Sequence, residues 1–301
     1  MSANLPASVL SRLLALSRQN GWDYQEVLAR YATERFLARL AVSRWADKFV
    51  LKGGNMFIVW LGGYDYRPTM DTDFLWRGRG DSLAVESAFR EIAETDLPED
   101  DAIRFDPATL KIAQIRVQTR YGGNEATLLA KIGKTRIPLH FDIGFGDRVW
   151  PAIRDEQFPA LLAPESPRVH AYPMEACIAE KCHAMIEHGF ENSRMKDFYD
   201  VWFLASKFEF SFGNLSEAIR RTLGERGTGF PEPDLVAFSE SFATHPLKLS
   251  QWSGFLKRTR LEGKAPSFPD ACAVVRAFLL PVLFPTGARP AEWTPGKGWS
   301  S

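Results

Sequence analysis

Apolar residues recur at intervals of three and four from Ala7 to about Leu40: Val9, Leu10, Leu13 and Leu14, then, past Gly21, Val27, Leu28, Tyr31 and Phe36. That spacing predicts two amphipathic helices at the head of the chain. The run Phe49-Val50-Leu51, closed by Lys52-Gly53-Gly54 and followed by apolar Met56 to Leu61, predicts strand, glycine turn and helix. Asp81 or Ser82 can cap a further helix to about Thr95, with Val85, Phe89 and Ile92 as its buried stripe. Strand patterns follow at Ile112 to Tyr121, Glu125 to Ile132 and Thr135 to Ile143, joined by Gly122-Gly123-Asn124 and Gly133-Lys134, which predicts a β-meander. From Pro173 to about Phe284 helical periods alternate with Gly and Pro breaks, at 174–188, 195–207, 214–224, 233–243, 247–259 and 268–284. The last stretch, TGARPAEWTPGKGWSS, is rich in Pro and Gly and reads as a flexible tail. The expected organisation is therefore a sheet-bearing domain with N-terminal helices over 1–165, a helical domain over 166–285 and a tail over 286–301: an α+β chain.

Composition narrows the setting. With 45% hydrophobic and 13% aromatic residues over 301 positions the chain can bury a core without staples. Its 37 basic and 37 acidic side chains cancel, so any nucleic-acid contact must come from local patches rather than a global field. Three cysteines, Cys177, Cys182 and Cys272, give no disulfide framework and suit core packing in a reducing cytoplasm. No signal peptide is expected, since Arg12 and Arg18 break the N-terminal apolar run. No uncharged apolar run approaches the roughly 20 residues of a membrane span. Without a sustained heptad, the expected state is a monomer.

The chemistry concentrates in carboxylates. In Thr69-Met-Asp-Thr-Asp-Phe-Leu-Trp76 the acids stand two apart, and strand periodicity sends Asp71 and Asp73 to the same face. Two carboxylates about 5 Å apart repel by roughly 3 kcal/mol at an effective dielectric of about 20, a cost that a divalent cation removes. Magnesium takes oxygen ligands and leaves positions for substrate phosphates. A solvated Asp-Thr-Asp turn is the competing reading of the tripeptide alone. Asp142 lies in Ile137-Pro-Leu-His-Phe-Asp-Ile143, where Ile137, Leu139, Phe141 and Ile143 take one face and His140 and Asp142 the other, so it is either a third metal ligand or a solvated acid. Lys52-Gly53-Gly54-Asn55 at a strand-to-helix turn is a candidate anion site. On the helical side Lys181 sits among Cys177, Ile178, Ala184 and Met185, while Asp197 shares a face with Val201 and Leu204, with Asp200 one turn away. Lys181 is then either a point charge for a triphosphate, oriented by Asp197, or half of a buried bridge joining two helices.

Taken together, Phe49-Val-Leu-Lys-Gly-Gly54, Arg67-Pro-Thr-Met-Asp-Thr-Asp-Phe74, the Asp142 strand, Glu180-Lys181 and Arg194-Met-Lys-Asp-Phe-Tyr-Asp200 resemble the AbiEii/AbiGii toxin family over about residues 20 to 210. This is a branch of the polymerase-β-like nucleotidyltransferases. The resemblance implies a mixed sheet in residues 1–165 and a helical C-terminal half. It makes Asp71 and Asp73 metal ligands and, with Lys181 and Asp197, catalytic; Asp142 is the third metal position. Lys52, Gly53, Gly54, Arg67 and Thr69 are the implied nucleotide-binding residues. It further implies Mg2+, an NTP substrate, an RNA acceptor such as the 3′ end of tRNA, and a cognate antitoxin. The superfamily's usual Gly-Ser is Gly-Gly here, and the insert between Gly54 and Asp71 is long. A protein of the same fold that only binds nucleotide, RNA or a partner is the second reading.

Other signals fall away. Gly133-Lys134-Thr135 lacks the first glycine of a P-loop. Gly78-Arg-Gly80 and Gly144-Phe-Gly146 lack the third glycine of a dinucleotide fingerprint. Cys182, His183 and His188 are wrongly spaced for zinc on one helix face. Lys257, Arg258, Arg260 and Lys264 could grip an RNA backbone or simply close a helix in solvent.

Overall fold

The computed structural model describes residues 4–64, 66–78, 82–115, 122–146, 148–162, 165–229, 231–286 and 290–300. The chain divides into two compact units, Met1–Asp147 with Ile153–Tyr172, and Arg148–Ala152 with Pro173–Ser301.

The first unit carries α1 (Leu5–Asn20), α2 (Tyr24–Val42), β1 (Phe49–Lys52), α3 (Met56–Leu61), β2 (Asp71–Trp76), α4 (Ser82–Glu94), β3 (Ile103–Ile115), β4 (Gly123–Ile132), β5 (Thr135–Phe145), β6 (Arg154–Gln157) and β7 (Arg168–Ala171). Its seven strands form one mixed sheet in the order β3-β4-β5-β2-β1-β7-β6. The β2–β5 and β1–β7 pairs are parallel and the others antiparallel. One face is closed by aromatic packing: Phe36 of α2 and Phe89 of α4 meet Phe141 of β5 at ring-centre distances of 4.8 and 5.0 Å, and Phe49 packs on Phe89 and Phe74.

Burial of α2 goes beyond the stripe expected from its pattern, for Val27 to Leu40 is buried on every side. Its charges are compensated. Asp101 accepts from Arg35 Nε at 2.9 Å and from Arg39 Nη1 at 2.7 Å, and Arg30 lies 5.2 Å from the ring centres of Trp22 and Tyr64. Glu34 accepts the Leu161 N–H at 2.6 Å. A helix that buries arginines because each meets a partner has no clean hydrophobic period to read.

β3 begins at Ile103, nine residues before the expected Ile112, with a register break between Asp106 and Lys111 that accommodates Pro107. The expected continuation to Tyr121 falls at 116–121, outside the described residues, as does Asp81 as a helix cap.

The second unit contains α5 (Met174–His188), α6 (Met195–Lys207), β8 (Phe210–Ser211), α7 (Phe212–Glu225), α8 (Glu240–Thr244), α9 (Pro246–Thr259), α10 (Phe268–Leu283), β9 (Glu292–Thr294) and β10 (Gly298–Ser300). Two expectations need correction. The helix read over 233–243 is only α8 and a short 3-10 turn, Val236–Phe238, because Pro231 and Pro233 constrain the backbone ahead of it. The flexible tail is instead a hairpin, β9–β10, joined to β8 in a three-stranded sheet. Trp293 and Trp299 anchor it: their indole N–H groups donate to Ala205 O at 2.7 Å and Phe278 O at 2.9 Å, and Trp299 stacks on Phe278.

Candidate functional site

Register across the sheet assembles the first candidate site. Lys52 pairs with Asp73, Asp73 with Asp142 and Asp142 with Glu125, so these four side chains leave the same sheet face in one row across β1, β2, β5 and β4. A second row on that face runs through Asp71, His140, Thr127 and Lys111. Strand alternation makes this possible. On β5, Ile137, Leu139, Phe141 and Ile143 are buried against the helices, while Arg136, Pro138, His140 and Asp142 are exposed. Asp71 is exposed and Asp73 half-buried, with Thr72 between them pointing into the core. The same-face geometry expected of Asp71 and Asp73, and of His140 with Asp142, is what the sheet displays.

The glycine turn fixes these acids. Gly53 has φ +69°, and its Cα lies so close to the carboxylate of Asp73 that a side chain there would overlap it. At Gly54 a Cβ would come within 2.8 Å of Thr69 Oγ1. Asn55 donates from Nδ2 to Asp71 O at 3.2 Å and to Thr72 Oγ1 at 3.3 Å, and Thr69 Oγ1 donates to Asp71 O at 3.3 Å. Lys52 reaches over Gly144, whose Cβ position would be 3.7 Å from Nζ, and lies 5.4 Å from the Tyr172 ring centre. Arg67 is buried beside the Tyr66 ring at 5.5 Å. The two glycines thus make room for Asp73 and Thr69. The helix that follows them, α3, spans six residues.

Among the described residues no three His, Cys, Asp or Glu side chains form a ready-made metal cage. Magnesium does not require one. It keeps several waters and is commonly held by one or two carboxylates together with substrate phosphates. Asp71 and Asp73, with Asp142 opposite Asp73, are an all-oxygen donor set on an accessible face, which fits such an ion.

A second cluster lies within the second unit. Lys181 on α5 donates to Asp197 Oδ1 at 2.9 Å and to Asp200 Oδ2 at 2.7 Å, both acids being fully buried on α6. Arg194 donates to the other Asp197 oxygen at 2.5 Å. Burial works to raise the Asp197 pKa, but the charges of Lys181 and Arg194 outweigh it and hold the carboxyl below its ordinary value. The bridge between helices therefore exists, and it has two acceptors rather than one. Asn192 shapes the approach to this cluster: its side chain accepts the Arg194 N–H at 2.8 Å, and its carbonyl accepts from the buried Lys248 at 2.9 Å.

Glu125, Tyr172, Asn192 and Lys248 are the members of these two environments that motif reading overlooked. Glu125 had a signal. The two-residue turn Gly133-Lys134 sets Ile132 opposite Thr135, which carries Glu125 opposite Asp142. The zinc reading stays rejected: His183 bonds Thr228 Oγ1 at 2.7 Å, and burial pushes the thiols of Cys177, Cys182 and Cys272 up to about 12, as core packing requires. Lys257 and Arg258 close α9, with Arg260 in the left-handed cap position. Among the described residues no helix is long and apolar enough to cross a membrane.

Two solved structures are similar in outline. A proposed nucleotidyltransferase from H. pylori is 16% identical with a TM-score of 0.49, and the match covers 84% of this chain and 92% of that one. JHP933 from Helicobacter pylori gives the same identity and TM-score, with 84% of this chain and 89% of that one covered. Among curated proteins none matches the sequence. The family described as "Nucleotidyl transferase AbiEii toxin, Type IV TA system" matches residues 35–274, which takes in the glycine turn, the three strand carboxylates and the Lys181 cluster. The chain belongs to the AbiEii family of nucleotidyltransferase toxins.

Proposed function

We propose that the protein is a magnesium-dependent toxin that transfers a nucleoside monophosphate from an NTP to an RNA acceptor, the 3′ end of tRNA foremost, in the cytoplasm and under the restraint of a cognate antitoxin. The observation that carries this reading is the register that places Asp71, Asp73 and Asp142 on one accessible sheet face in a chain of this family.

In this reading Asp71 and Asp73 would hold Mg2+, with Asp142 as the third oxygen donor, and the ion, when bound, would supply neutralisation of the phosphate charge. Gly53 and Gly54 let the turn approach the nucleotide, while Lys52, Arg67 and Thr69 offer it positive charge and a hydroxyl. An acceptor hydroxyl forms the new bond to the α-phosphorus and its proton passes to water. The bond from that phosphorus to the bridging oxygen breaks, and pyrophosphate leaves. Lys181 is the proposed phosphate-contacting charge of the helical unit, and Asp197 and Asp200 are the groups that position its ammonium. These residues contribute mainly orientation and electrostatics.

Incubation with each radiolabelled NTP, Mg2+ and total RNA should label RNA and release pyrophosphate. Asp71→Asn and Asp73→Asn should each lower transfer by about a hundredfold or more. Absence of label with all four nucleotides, from protein shown to be folded, would overturn transfer. Growth arrest that persists in Asp71→Asn would point to action by binding.

A further inference from the structure

The sheet face that carries the acids does not end with them. Toward the edge strand β3, it forms a shallow groove of about 320 Å³ lined by Lys111, Thr127, Leu129, Arg136 and Pro138, all from β3, β4 and β5. Lys111, Arg136 and Pro138 are exposed. Neither Lys111 nor Arg136 makes a side-chain hydrogen bond or an ion pair within 4 Å among the described residues; the nearby acid, Asp106, is taken by Lys131 at 2.7 Å.

The groove is continuous with the candidate site by register. Lys111 pairs with Thr127, Thr127 with His140 and His140 with Asp71, so one straight row joins the basic edge to the first acid. Along β5 the face changes from Arg136 through Pro138 and His140 to Asp142, about 20 Å at roughly 3.3 Å per residue. The face thus carries Lys111 and Arg136 at the groove, where the nearby acid, Asp106, is bridged by Lys131 and feels the charge of Arg136, and mainly carboxylates, with Lys52 beside them, at the other end.

We infer that this groove binds the single-stranded end of the RNA acceptor. The inference rests on the proposed transfer reaction for its choice of partner and adds the surface that holds it. The cations match a phosphate backbone, and Leu129 with Pro138 gives a small apolar floor on which a base can rest without sequence readout. Two exposed cations beside this floor, neither in an ion pair within 4 Å among the described residues, favour a polyanion over a protein partner.

The test uses the full chain and a fluorescein-labelled single-stranded RNA 12-mer with a free 3′-hydroxyl, titrated by anisotropy at several salt concentrations without NTP or magnesium. The double variant Lys111→Gln, Arg136→Gln should weaken binding by about tenfold and reduce the slope of log K against log salt by about 1.4, near 0.7 for each lost phosphate contact. Since both side chains are exposed, the variant should keep the unfolding midpoint of the parent. Lys257→Gln with Arg258→Gln should leave the RNA affinity unchanged. Unchanged affinity and slope in the groove variant, or no binding of this RNA by the parent protein at low salt, would overturn the inference and leave the face to a protein partner. Because no nucleotide is present, RNA binding without any transfer activity would refute the reaction and not the groove.

Discussion

The Cα of Gly53 lies against the carboxylate of Asp73, at a backbone φ of +69° that disfavours any side chain. The acid proposed to hold the metal is thus seated by the absence of a side chain on the neighbouring strand's turn. Gly53→Ala should move Asp73 and strain the turn together. The left-handed backbone costs about 1–2 kcal/mol, so the unfolding midpoint should fall by a few degrees, while transfer should fall at least about a hundredfold. Gly62 is the control, since it has φ +64° and nothing within 4 Å of its Cβ position. Gly62→Ala should lose comparable stability and keep its activity, as thermal melts and RNA labelling run on the same samples would establish.

The two carboxylates that receive Lys181 are fully buried, so the lysine is a structural partner whatever else it touches. Lys181→Met should cost about 3–5 kcal/mol at pH 7, the penalty for stranding buried charge. The folded-state pKa of Asp197 is depressed by Lys181 and Arg194 against the pull of burial, so its contribution is present above the ordinary value of 3.8 and lost as pH falls below it. The gap in stability between parent and variant should therefore hold above about pH 4 and narrow as pH falls from about pH 4 to about pH 2 in urea titrations. A gap that stays constant over that range would mean that the ion pairs do not support the unit.

Much of this arrangement was legible in the sequence because strand periodicity is strict. Asp71 with Asp73, and His140 with Asp142, follow from a period of two, and the turn at Gly133-Lys134 contains enough to extend the row to Glu125. What stayed hidden depends on compensation at a distance. The buried arginines of α2 look like a polar helix face until Asp101 is placed beside them. The first half of β3 is hidden because Pro107 and its charged neighbours conceal a strand that a register break repairs. The second acceptor of Lys181 was a matter of side-chain reach. Spacing alone placed Asp200 one turn from Asp197 but could not tell which of the two takes the lysine.

Glu34 is an acid opposed by its surroundings. It is buried in α2, and desolvation lifts its pKa from 4.5 to about 7 despite the Leu161 N–H and the Arg35 guanidinium. A group raised in the folded state contributes stability that is complete below its unfolded value and is lost as pH rises through the folded one. The parent should therefore lose up to roughly 3 kcal/mol between about pH 4.5 and pH 7.5 from this side chain. Glu34→Gln keeps an oxygen for the Leu161 N–H and carries no charge. It should flatten that part of the pH profile and melt higher than the parent at pH 8; a lower melting point at pH 8 would show that Glu34 is stabilising as an anion.

The C-terminal hairpin gives the plainest contrast between composition and contact. A segment rich in Pro and Gly would be dispensable if it were a tail, yet Trp293 is buried, its N–H satisfies Ala205 O, and Trp299 stacks on Phe278, itself fully buried in α10. Two tryptophans can order a short segment because each buries a large apolar ring while its single donor finds an acceptor. Trp293→Ala should remove about 3–5 kcal/mol from the helical unit, and ending the chain after Thr286 should remove at least as much. The Gly53 turn and the strand carboxylates belong to the other unit. Urea titration followed by tryptophan fluorescence and by circular dichroism should then show an early transition for the helical unit in both variants. Midpoints equal to those of the parent would return residues 290–300 to the status of a tail.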